Sequence, residues 1–440
     1  MTKISFYTLG CRLNQSETAS IRHAFKENGY QVVDFNEPCD IVVINTCTVT
    51  GASDANCRYL VRRINRLNPQ ARIALIGCQA QLQESQLAKL PGVSWVIGNA
   101  RKMDLVSVLN ENPCPKNPQV ITPVIKRGPF SLIKRGLSPK RGLSPFDDKH
   151  TRANIKVQDG CDFFCSFCEV PYARGRARSR VFEDILDDAK SLLASGHQEL
   201  VLTGINVGTY AYEGKTFIDI IKALDELDGL KRLRISSIEP TTISKELFSF
   251  MKNGHKLCRY LHVPLQSGCD EILLKMKRRY SVAEFKNFVH EAISQVPEIV
   301  IGTDVMTGFP GETDEHFNQT LHLLNDLPIR YFHVFSYSPR HRARSRLLKP
   351  LDSKVVSKRS QILRDLSNQK RRVFHESLIG GIYEVLFEAS DKVGWQEGLT
   401  DHYVRVRVKT KHDLYNQMAR VRLKSVDGLM VLGEQLGGYS

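Results

Sequence analysis

The sequence predicts an α/β protein with three parts: an N-terminal parallel α/β domain, a central partial barrel of six β/α units and a small C-terminal β-barrel. Short apolar runs alternate with amphipathic helical patterns over residues 1–110 and again from about 151 to 370. This alternation is typical of parallel sheets. A segment rich in Pro, Gly, Lys and Arg separates the two regions. Residues 376–440 lack helical periodicity and contain short strand-like runs, which favour a small β-barrel.

The N-terminal domain is assigned to residues 1–112. Its predicted strands are Ile4–Leu9, Ile41–Asn45 and Ile73–Ile76, and its predicted helices are Glu17–Asn28 and Ala55–Leu67. Cys11, Cys47 and Cys78 each lie just after one of these strands. Because ligands bind at the carboxyl ends of the strands in such folds, the three thiols are able to converge on one site. Three separately buried cysteines are the other interpretation, and sequence position alone favours neither.

Residues 113–150 are predicted to form a flexible basic linker. The hexamer Lys-Arg-Gly-Leu-Ser-Pro occurs twice in tandem there, at residues 134–139 and 140–145. Such composition is typical of linkers, and a tandem copy is tolerated best in a loop.

The central domain is assigned to residues 151–375. Its predicted strands are Ile155–Val157, Glu199–Thr203, Leu233–Ser236, Tyr260–Val263, Ile299–Asp304 and Tyr331–Phe335, and Phe182–Ala194 is a predicted helix between the first two. In a barrel of this kind, function lies on the loops that follow the strands. Polar residues and glycines at these strand ends are therefore candidate site residues, namely Gly204, Asn206, Ser237, Glu239, Gln266 and Asp304.

The most specific motif is Cys161-x3-Cys165-x2-Cys168, which follows the first strand of the central domain. Three thiolates on one short loop suit three corners of a 4Fe-4S cube and leave the fourth iron open to a ligand. A zinc site usually needs a second C-x2-C pair, and none lies nearby. An odd total of 11 cysteines in a chain of 440 residues disfavours a disulfide scaffold.

Charge and hydropathy narrow the class of protein. No run of about 18 apolar residues occurs, so we expect no membrane span. The first residues do not match a signal peptide, and we expect a protein of the reducing cytoplasm, which suits iron–sulfur thiolates. The formal net charge is +15, which favours an anionic partner such as RNA.

The excess of positive charge is concentrated in two places. Residues 330–372 contain thirteen Lys and Arg against two acids, and Arg340 and Arg342 in this segment are candidate RNA contacts. The alternating run Tyr403–Lys411 has a basic face that adds Arg405, Arg407, Lys409 and Lys411. A solvated strand or helix face is the other interpretation of both segments.

Four motifs carry a resemblance to a known family. They are the stretch Thr8–Thr18 around Cys11, Ile44–Thr50 around Cys47, Ile76–Gln81 around Cys78, and Pro171–Arg180 after the three-cysteine loop. Together with that loop they resemble the radical S-adenosylmethionine methylthiotransferases over nearly the whole chain. The resemblance implies a radical-SAM barrel, a C-terminal TRAM-type RNA-binding domain at 376–440, and two 4Fe-4S clusters, the second on Cys11, Cys47 and Cys78.

The resemblance also implies the cofactor and its contacts. One S-adenosylmethionine would bind the open iron of the first cluster and, after electron transfer, yield a radical, and another would supply the methyl group. Gly204 and Asn206 match the turn near its methionine part, whereas Ser237, Glu239, Gln266 and Asp304 are candidate polar contacts. No side chain is assigned as a catalytic acid or base, because the target carbon is hardly acidic.

Three substrates are compatible with the family. Thr8–Gln15 and Ser236–Pro240 resemble the branch that modifies N6-threonylcarbamoyladenosine 37 of tRNA at carbon 2. The alternatives are N6-isopentenyladenosine in tRNA and a ribosomal-protein aspartate; an RNA-binding protein with a structural cluster is the non-enzymatic alternative. An electron donor and a sulfur source are expected partners, and the sequence identifies neither of them nor the oligomeric state.

Overall fold

The computed structural model describes residues 1–132, 151–253, 255–390 and 394–436. The N-terminal domain is a six-stranded parallel sheet in the order β2-β1-β3-β4-β5-β6. Its elements are β1 Lys3–Thr8, α1 Arg12–Glu27, β2 Gln31–Val32, β3 Ile41–Thr46, α2 Gly51–Leu67, β4 Arg72–Gly77, α3 Cys78–Leu82, α4 Glu84–Leu87, β5 Val93–Ile97, α5 Leu105–Glu111 and β6 Gln119–Ile121. The predicted parallel α/β domain is confirmed.

The prediction of a flexible linker over 113–150 is wrong for its first part. Residues Gln119–Ile121 form β6, which extends the N-terminal sheet beyond residue 112 by pairing with β5. Phe130 then bridges to Arg180 of the central domain, where its backbone N–H donates to Ser179 O at 3.1 Å. The tandem hexamer at 134–145 lies outside the described residues.

The central domain is an open barrel of parallel strands. Its elements are β7 Arg152–Lys156, β8 Gln158–Asp159, α6 Val170–Arg174, β9 Arg178–Ser179, α7 Phe182–Ala194, β10 Glu199–Thr203, β11 Ala211–Tyr212, β12 Lys215–Thr216, α8 Phe217–Asp225, β13 Arg232–Ile235, α9 Glu246–Lys252, β14 Tyr260–His262, α10 Asp270–Lys275, α11 Val282–Gln295, β15 Val300–Thr307, α12 Asp314–Asp326, β16 Tyr331–Ser336 and α13 Ser353–Ser377. Strands β7, β10 and β13 form one half and β14, β15 and β16 the other. A parallel bridge from Leu233 to Leu257 connects the halves.

The two faces of this sheet differ sharply in chemistry. Residues such as Ile155, Leu202 and Phe332 belong to the large apolar core that packs against the helices. Because side chains alternate along a strand, their neighbours face the barrel interior. These interior residues are polar, aromatic or charged, and include Lys156, Glu199, Arg234, Tyr260, His262, Asp304, Tyr331 and His333. A polar interior of this kind is suited to binding a ligand.

The C-terminal domain is a closed barrel in the order β17-β18-β19-β21-β20, as expected. Its strands are β17 Ile382–Glu388, β18 Trp395–Leu399, β19 Arg405–Lys409, β20 Met418–Asp427 and β21 Met430–Gln435. Tyr403 connects it to the rest of the molecule, because its ring stacks on Tyr260 and its hydroxyl accepts from the Arg12 guanidinium. Arg152 and Arg234 also lie against this ring. No helix among the described residues is long and apolar enough to span a bilayer.

Candidate functional site

The first cysteine set lies on the loop between β8 and α6. Gly160, at φ +69°, turns the chain there, and a Cβ on it would lie 2.6 Å from Gly175 O. Only glycine tolerates this approach together with a positive φ. The loop is closed by the Cys161 N–H, which donates to Gly175 O at 3.2 Å. This turn brings the three thiols into one short, partly buried loop.

Each sulfur of the first set has an N–H donor. The backbone N–H groups of Phe163 and Val170 donate to Cys161 Sγ and Cys168 Sγ, both at 3.4 Å. The Arg278 guanidinium donates to Cys165 Sγ at 3.2 Å. Burial raises the pKa of the Cys161 thiol to about 11, so ligand binding by this thiol has to release a proton. Donors aimed at the sulfurs fit an iron–sulfur cluster, whose thiolates accept such hydrogen bonds.

The turn after β10 is joined directly to the strand that precedes the cysteine loop. Gln158 Oε1 accepts from the backbone N–H groups of Ile205 at 3.0 Å and Asn206 at 2.9 Å. A Cβ on Gly204 would lie 2.9 Å from Val207 and 3.0 Å from Gln158 Oε1, so this contact needs glycine. Asn206 is 1% exposed, and its Nδ2 has no hydrogen-bond partner within the described residues. That amide is a donor available to a bound ligand.

Glu239 connects the end of β13 to the cysteine loop through Arg278. The Arg278 guanidinium forms a short ion pair with Glu239 while it donates to Cys165 Sγ. Burial raises the pKa of Glu239 although Arg278 opposes the shift. Ser237, half-buried, stands two residues before Glu239. Of the candidate residues at the end of β13, Glu239 is therefore the one connected to the first cysteine set.

Gln266 and Asp304 lie on the other half of the barrel. Gln266 adopts φ +70°, and its N–H donates to Asp304 O at 2.8 Å. The Asp304 carboxylate forms an ion pair with His262, with Oδ1 2.9 Å from Nε2. Proximity to Asp304 contributes to the raised pKa of Glu239, after burial. Asp304 thus faces the same interior as Glu239 but has a histidine partner that the sequence did not indicate.

The second cysteine set gathers at the carboxyl ends of three neighbouring strands. Cys11, Cys47 and Cys78 follow β1, β3 and β4, which are adjacent in the sheet. A Cβ on Gly10 would lie 2.6 Å from Cys47 Sγ, and Gly10 adopts φ +89°. The Asn14 amide donates to Leu9 O at 2.8 Å and to Thr46 O at 3.0 Å, which holds the first two loops together. Cys11 is exposed, whereas the other two thiols are buried.

Two sulfurs of the second set also accept N–H groups. The donors are Val49 N to Cys47 Sγ and Asn99 Nδ2 to Cys78 Sγ, each at 3.5 Å. Burial, with proximity to Cys78, raises the pKa of the Cys47 thiol to about 12. Because β1, β3 and β4 are adjacent in the sheet, their ends bring the three thiols into one region.

The two cysteine loops meet at a contact between the N-terminal and central domains, here called the seam, which is formed by Thr48 with Glu169 and by Asn99 with Ala173. Thr48, next to Cys47, donates its hydroxyl to Glu169 Oε2 at 3.0 Å, and Glu169 is next to Cys168. The Asn99 amide that reaches Cys78 also donates to Ala173 O at 2.7 Å, on the helix after the first loop. The N-terminal sheet and the barrel therefore present their cysteines to a shared region.

A buried group of charges lies beside this seam. The Glu17 carboxylate receives Arg174 at 3.0 Å, Lys156 at 2.7 Å and a short bond from Lys102. Burial opposes ionisation, but Arg174, Lys102 and Lys156 hold the pKa of Glu17 well below its usual range. Asp159 is the second carboxylate, 2.6 Å from Lys156 and 3.0 Å from Arg174. Three buried cations thus face two carboxylates, and the excess positive charge near Cys11 and Cys78 favours an anionic group on those thiols.

The candidate RNA contacts have different environments. The prediction for Arg340 is wrong: it is 4% exposed, 2.5 Å from Asp54 and 3.0 Å from Thr48, so it is not available to a phosphate. Arg342 is exposed. Arg405 and Arg407 alternate with buried valines on β19 but are paired with Glu388 and Glu397. Lys409 and Lys411 are exposed, which makes them the more accessible cations of this face.

Sequence reasoning missed the residues that connect the parts of the site. Arg278 is 113 residues from Cys165, and Glu17 is 157 residues from Arg174. Neither lies in a periodic pattern that identifies its partner. The signal that was available is chemical, since Glu17 is an acid on the inward face of a predicted helix and a buried acid requires a cation.

Comparison with known proteins agrees with this geometry. Residues 155–324 match the Radical SAM superfamily, and residues 3–98 match the uncharacterized protein family UPF0004. The chain is 34% identical over 432 residues to the threonylcarbamoyladenosine tRNA methylthiotransferase MtaB of Bacillus subtilis, covering 96% of this chain and 94% of that protein. It is 30% identical over 399 residues to the tRNA-2-methylthio-N(6)-dimethylallyladenosine synthase of Dehalococcoides mccartyi, covering 89% and 88%.

A solved structure shares the fold. The radical S-adenosylmethionine methyltransferase TsrM of Kitasatospora setae, solved with cobalamin and a [4Fe-4S] cluster, superposes with a TM-score of 0.53 at 17% identity over 77% of each chain. The fold, the cysteine loops and the full-length relatives agree, and the chain belongs to the radical S-adenosylmethionine methylthiotransferase family.

Proposed function

We propose that this protein adds a methylthio group to carbon 2 of N6-threonylcarbamoyladenosine at position 37 of tRNA. The observation that carries the proposal is the seam at which two three-cysteine loops meet, joined by Thr48 and Glu169. The 34% identity to a threonylcarbamoyladenosine tRNA methylthiotransferase supports the choice of nucleoside.

Each cysteine set suits one 4Fe-4S cluster. Cys161, Cys165 and Cys168 would hold the first and leave one iron open to S-adenosylmethionine. The second set, Cys11, Cys47 and Cys78, would hold another, and the excess of buried cations beside it supports this assignment. When bound, the reduced cluster and S-adenosylmethionine supply radical removal of hydrogen from an unactivated carbon, and S-adenosylmethionine also supplies the methyl group.

The residues of the barrel would bind and orient S-adenosylmethionine and shield it from water. The side-chain amide of Asn206, whose backbone N–H is held by Gln158, would donate to S-adenosylmethionine, and Gly204 allows the close approach of this turn. Glu239 is oriented by Arg278 and would accept from the same cofactor, with Ser237 and Gln266 as further polar contacts. The floor of the barrel is closed because Tyr260 and Tyr331 share a short hydrogen bond beneath the Tyr403 ring. This floor limits the access of water to the interior, and a reactive radical requires such exclusion of water.

The tRNA would lie across the basic loop after β16 and the exposed end of β19. Arg342, Lys409 and Lys411 are exposed, and Arg405 and Arg407 would add contacts where the phosphate competes with Glu397. Phosphate contacts give affinity and orientation, while the nucleoside is selected in the barrel. We further propose that a reducing electron donor and a sulfur source act as partners in the cytoplasm.

Mass spectrometry of tRNA nucleosides tests the proposal. A strain that lacks this protein should lose 2-methylthio-N6-threonylcarbamoyladenosine and accumulate the unmodified threonylcarbamoyl nucleoside. Purified protein with S-adenosylmethionine, reductant and sulfide should restore the methylthio group on tRNA from that strain. If the strain loses the methylthio-isopentenyl nucleoside instead, the substrate is N6-isopentenyladenosine in tRNA. If both methylthio nucleosides are still present in its tRNA and the ribosomal-protein aspartate is unmodified, the substrate is the ribosomal protein.

A further inference from the structure

Three neighbouring strands of the barrel place a set of metal-ligand side chains on its interior face. His262 ends β14, Asp304 lies in the middle of β15 and His333 lies in β16. Asp304 and His333 are direct register partners, and His262 pairs with Gly302 two residues before Asp304. The strands therefore hold all three side chains on one face by backbone pairing rather than by a loop.

The distances between these side chains are those of a potential metal site. His262 Nε2 lies 2.9 Å from Asp304 Oδ1. One ligand atom from each of the three residues lies within 4.8 Å of the other two, and this is the one such His, Cys, Asp and Glu group within the described residues. The imidazole rings of His262 and His333 have centroids 5.4 Å apart. No backbone movement is needed for the three groups to share one ion.

The surroundings fit a cation with open coordination positions. His262 is buried, Asp304 half-buried and His333 exposed, so the set has a closed side and an open side. Tyr260 and Tyr331 close the floor next to it. Charged groups near the set include Glu239, which is paired with Arg278, and Arg371 and Arg234, which lie over the rings of Tyr331 and Tyr260. Within the described parts of the chain, the one ion-pair partner of Asp304 is therefore His262.

We propose that His262, Asp304 and His333 bind one divalent cation of the zinc class on the interior face of the barrel, separate from both cysteine sets. Two imidazoles and one carboxylate form a ligand set that Zn²⁺ takes with a further position left for an oxygen ligand, and that Fe²⁺ also accepts. The alternative is that His262 and Asp304 form only a hydrogen-bonded pair. That pair would not need His333, which the strand register places opposite Asp304. The proposal assigns Asp304 to a metal and goes beyond the proposed function.

Zinc binding by the full chain tests this inference. Protein reconstituted anaerobically with iron and sulfide is titrated with Zn²⁺ alone, and zinc per chain is measured by elemental analysis after equilibrium dialysis. We expect one Zn²⁺ per chain, an affinity at least tenfold weaker in Asp304→Asn and in His333→Ala, and no change in the control His322→Ala, which alters an exposed histidine of α12. Acid-labile sulfide, which reports the clusters alone, should be equal in the wild-type protein and the three variants and shows that the variants are folded.

Zinc X-ray absorption identifies the ligands. The proposal requires nitrogen and oxygen neighbours at about 2.0–2.2 Å, with imidazole scattering. A sulfur neighbour at about 2.3 Å would place the zinc on cysteines and overturn the proposal. Absence of bound zinc in the wild-type chain, or a zinc affinity in Asp304→Asn and His333→Ala equal to that of the wild type, would also overturn it. These readouts do not involve methylthio transfer, so their failure is distinct from a failure of the proposed function.

Discussion

The hydroxyl of Thr48 donates to the Glu169 carboxylate at 3.0 Å, and this bond connects the residue after Cys47 to the residue after Cys168. The same hydroxyl accepts from Arg340 at 3.0 Å, and the other Glu169 oxygen accepts from the Arg342 backbone at 2.7 Å. The loop after β16 is thereby hydrogen-bonded to both the N-terminal domain and the central domain where the two meet. This buried polar contact therefore joins the loops that carry Cys47 and Cys168.

Thr48→Val should lower the free energy of unfolding by about 1–3 kcal/mol, because it leaves buried partners of the hydroxyl unsatisfied. Thr48→Ser keeps the hydroxyl and is the matched control. Denaturant unfolding measured by circular dichroism checks the difference. Methylthio product should fall in Thr48→Val more than S-adenosylmethionine cleavage does, and equal unfolding midpoints for the two variants would argue against a role for the hydroxyl at the seam.

Gly10→Ala should lower the iron content of the reconstituted protein toward one cluster. The new Cβ would lie 2.6 Å from Cys47 Sγ at a φ of +89°, so the second set has to open. Gly29→Ala is the control, because Gly29 has φ +81° and nothing within 4 Å of its Cβ. Gly29→Ala should lower the free energy of unfolding by only the strain of a left-handed residue, about 1–2 kcal/mol. Its iron content should equal that of the wild type. The same iron content in both alanine variants would mean that Gly10 does not shape the site.

Arg278→Met should reduce formation of 5′-deoxyadenosine at least tenfold. The substitution removes the donor to Cys165 Sγ and leaves the half-buried Glu239 unpaired, and an unpaired charge that is largely removed from water is costly. Arg279→Met is the neighbouring control, because Arg279 lies over Phe163 and bonds only the Asp162 carbonyl in this loop. Chromatographic assay of the nucleoside without tRNA measures the effect. Equal rates in the two variants would contradict the assigned role of Arg278.

Much of the fold is predictable from the sequence because it rests on local periodicity. The helix Phe182–Ala194 and the strand Glu199–Thr203 have the predicted bounds, since each buries one regular apolar pattern. The convergence of Cys11, Cys47 and Cys78 also follows from their places after adjacent parallel strands. The short edge strand Gln119–Ile121 was missed because three residues carry no periodic signal.

Long-range pairing was not predictable. Arg340 lies in a run of basic residues, which indicates solvent exposure and phosphate contact, but its partner Asp54 is 286 residues earlier in the chain. Charge counted along the sequence does not distinguish a buried ion pair from a free cation. For the same reason the pairing of Arg407 with Glu397, which reduces its availability to RNA, appears only in the folded barrel.

Replacing Lys409 and Lys411 together with Ala should weaken tRNA binding and reduce the salt dependence of its affinity by about 0.9 for each phosphate that is no longer neutralised. Both lysines are exposed. The double variant Arg405→Ala, Arg407→Ala should have a smaller effect, because these arginines are already paired with Glu388 and Glu397. Filter-binding titrations at several salt concentrations measure both slopes. Unchanged affinity and slope in all variants would show that this face is only solvated.

The most direct test of the account is iron content and product analysis of two triple variants. With Cys11, Cys47 and Cys78 replaced by Ala, iron should fall from about eight to about four per chain, 5′-deoxyadenosine should still form, and no methylthio nucleoside should appear. With Cys161, Cys165 and Cys168 replaced, the other four irons should remain and neither product should form. Full iron content in the first variant, or radical cleavage in the second, would contradict the division of chemistry between the two sets.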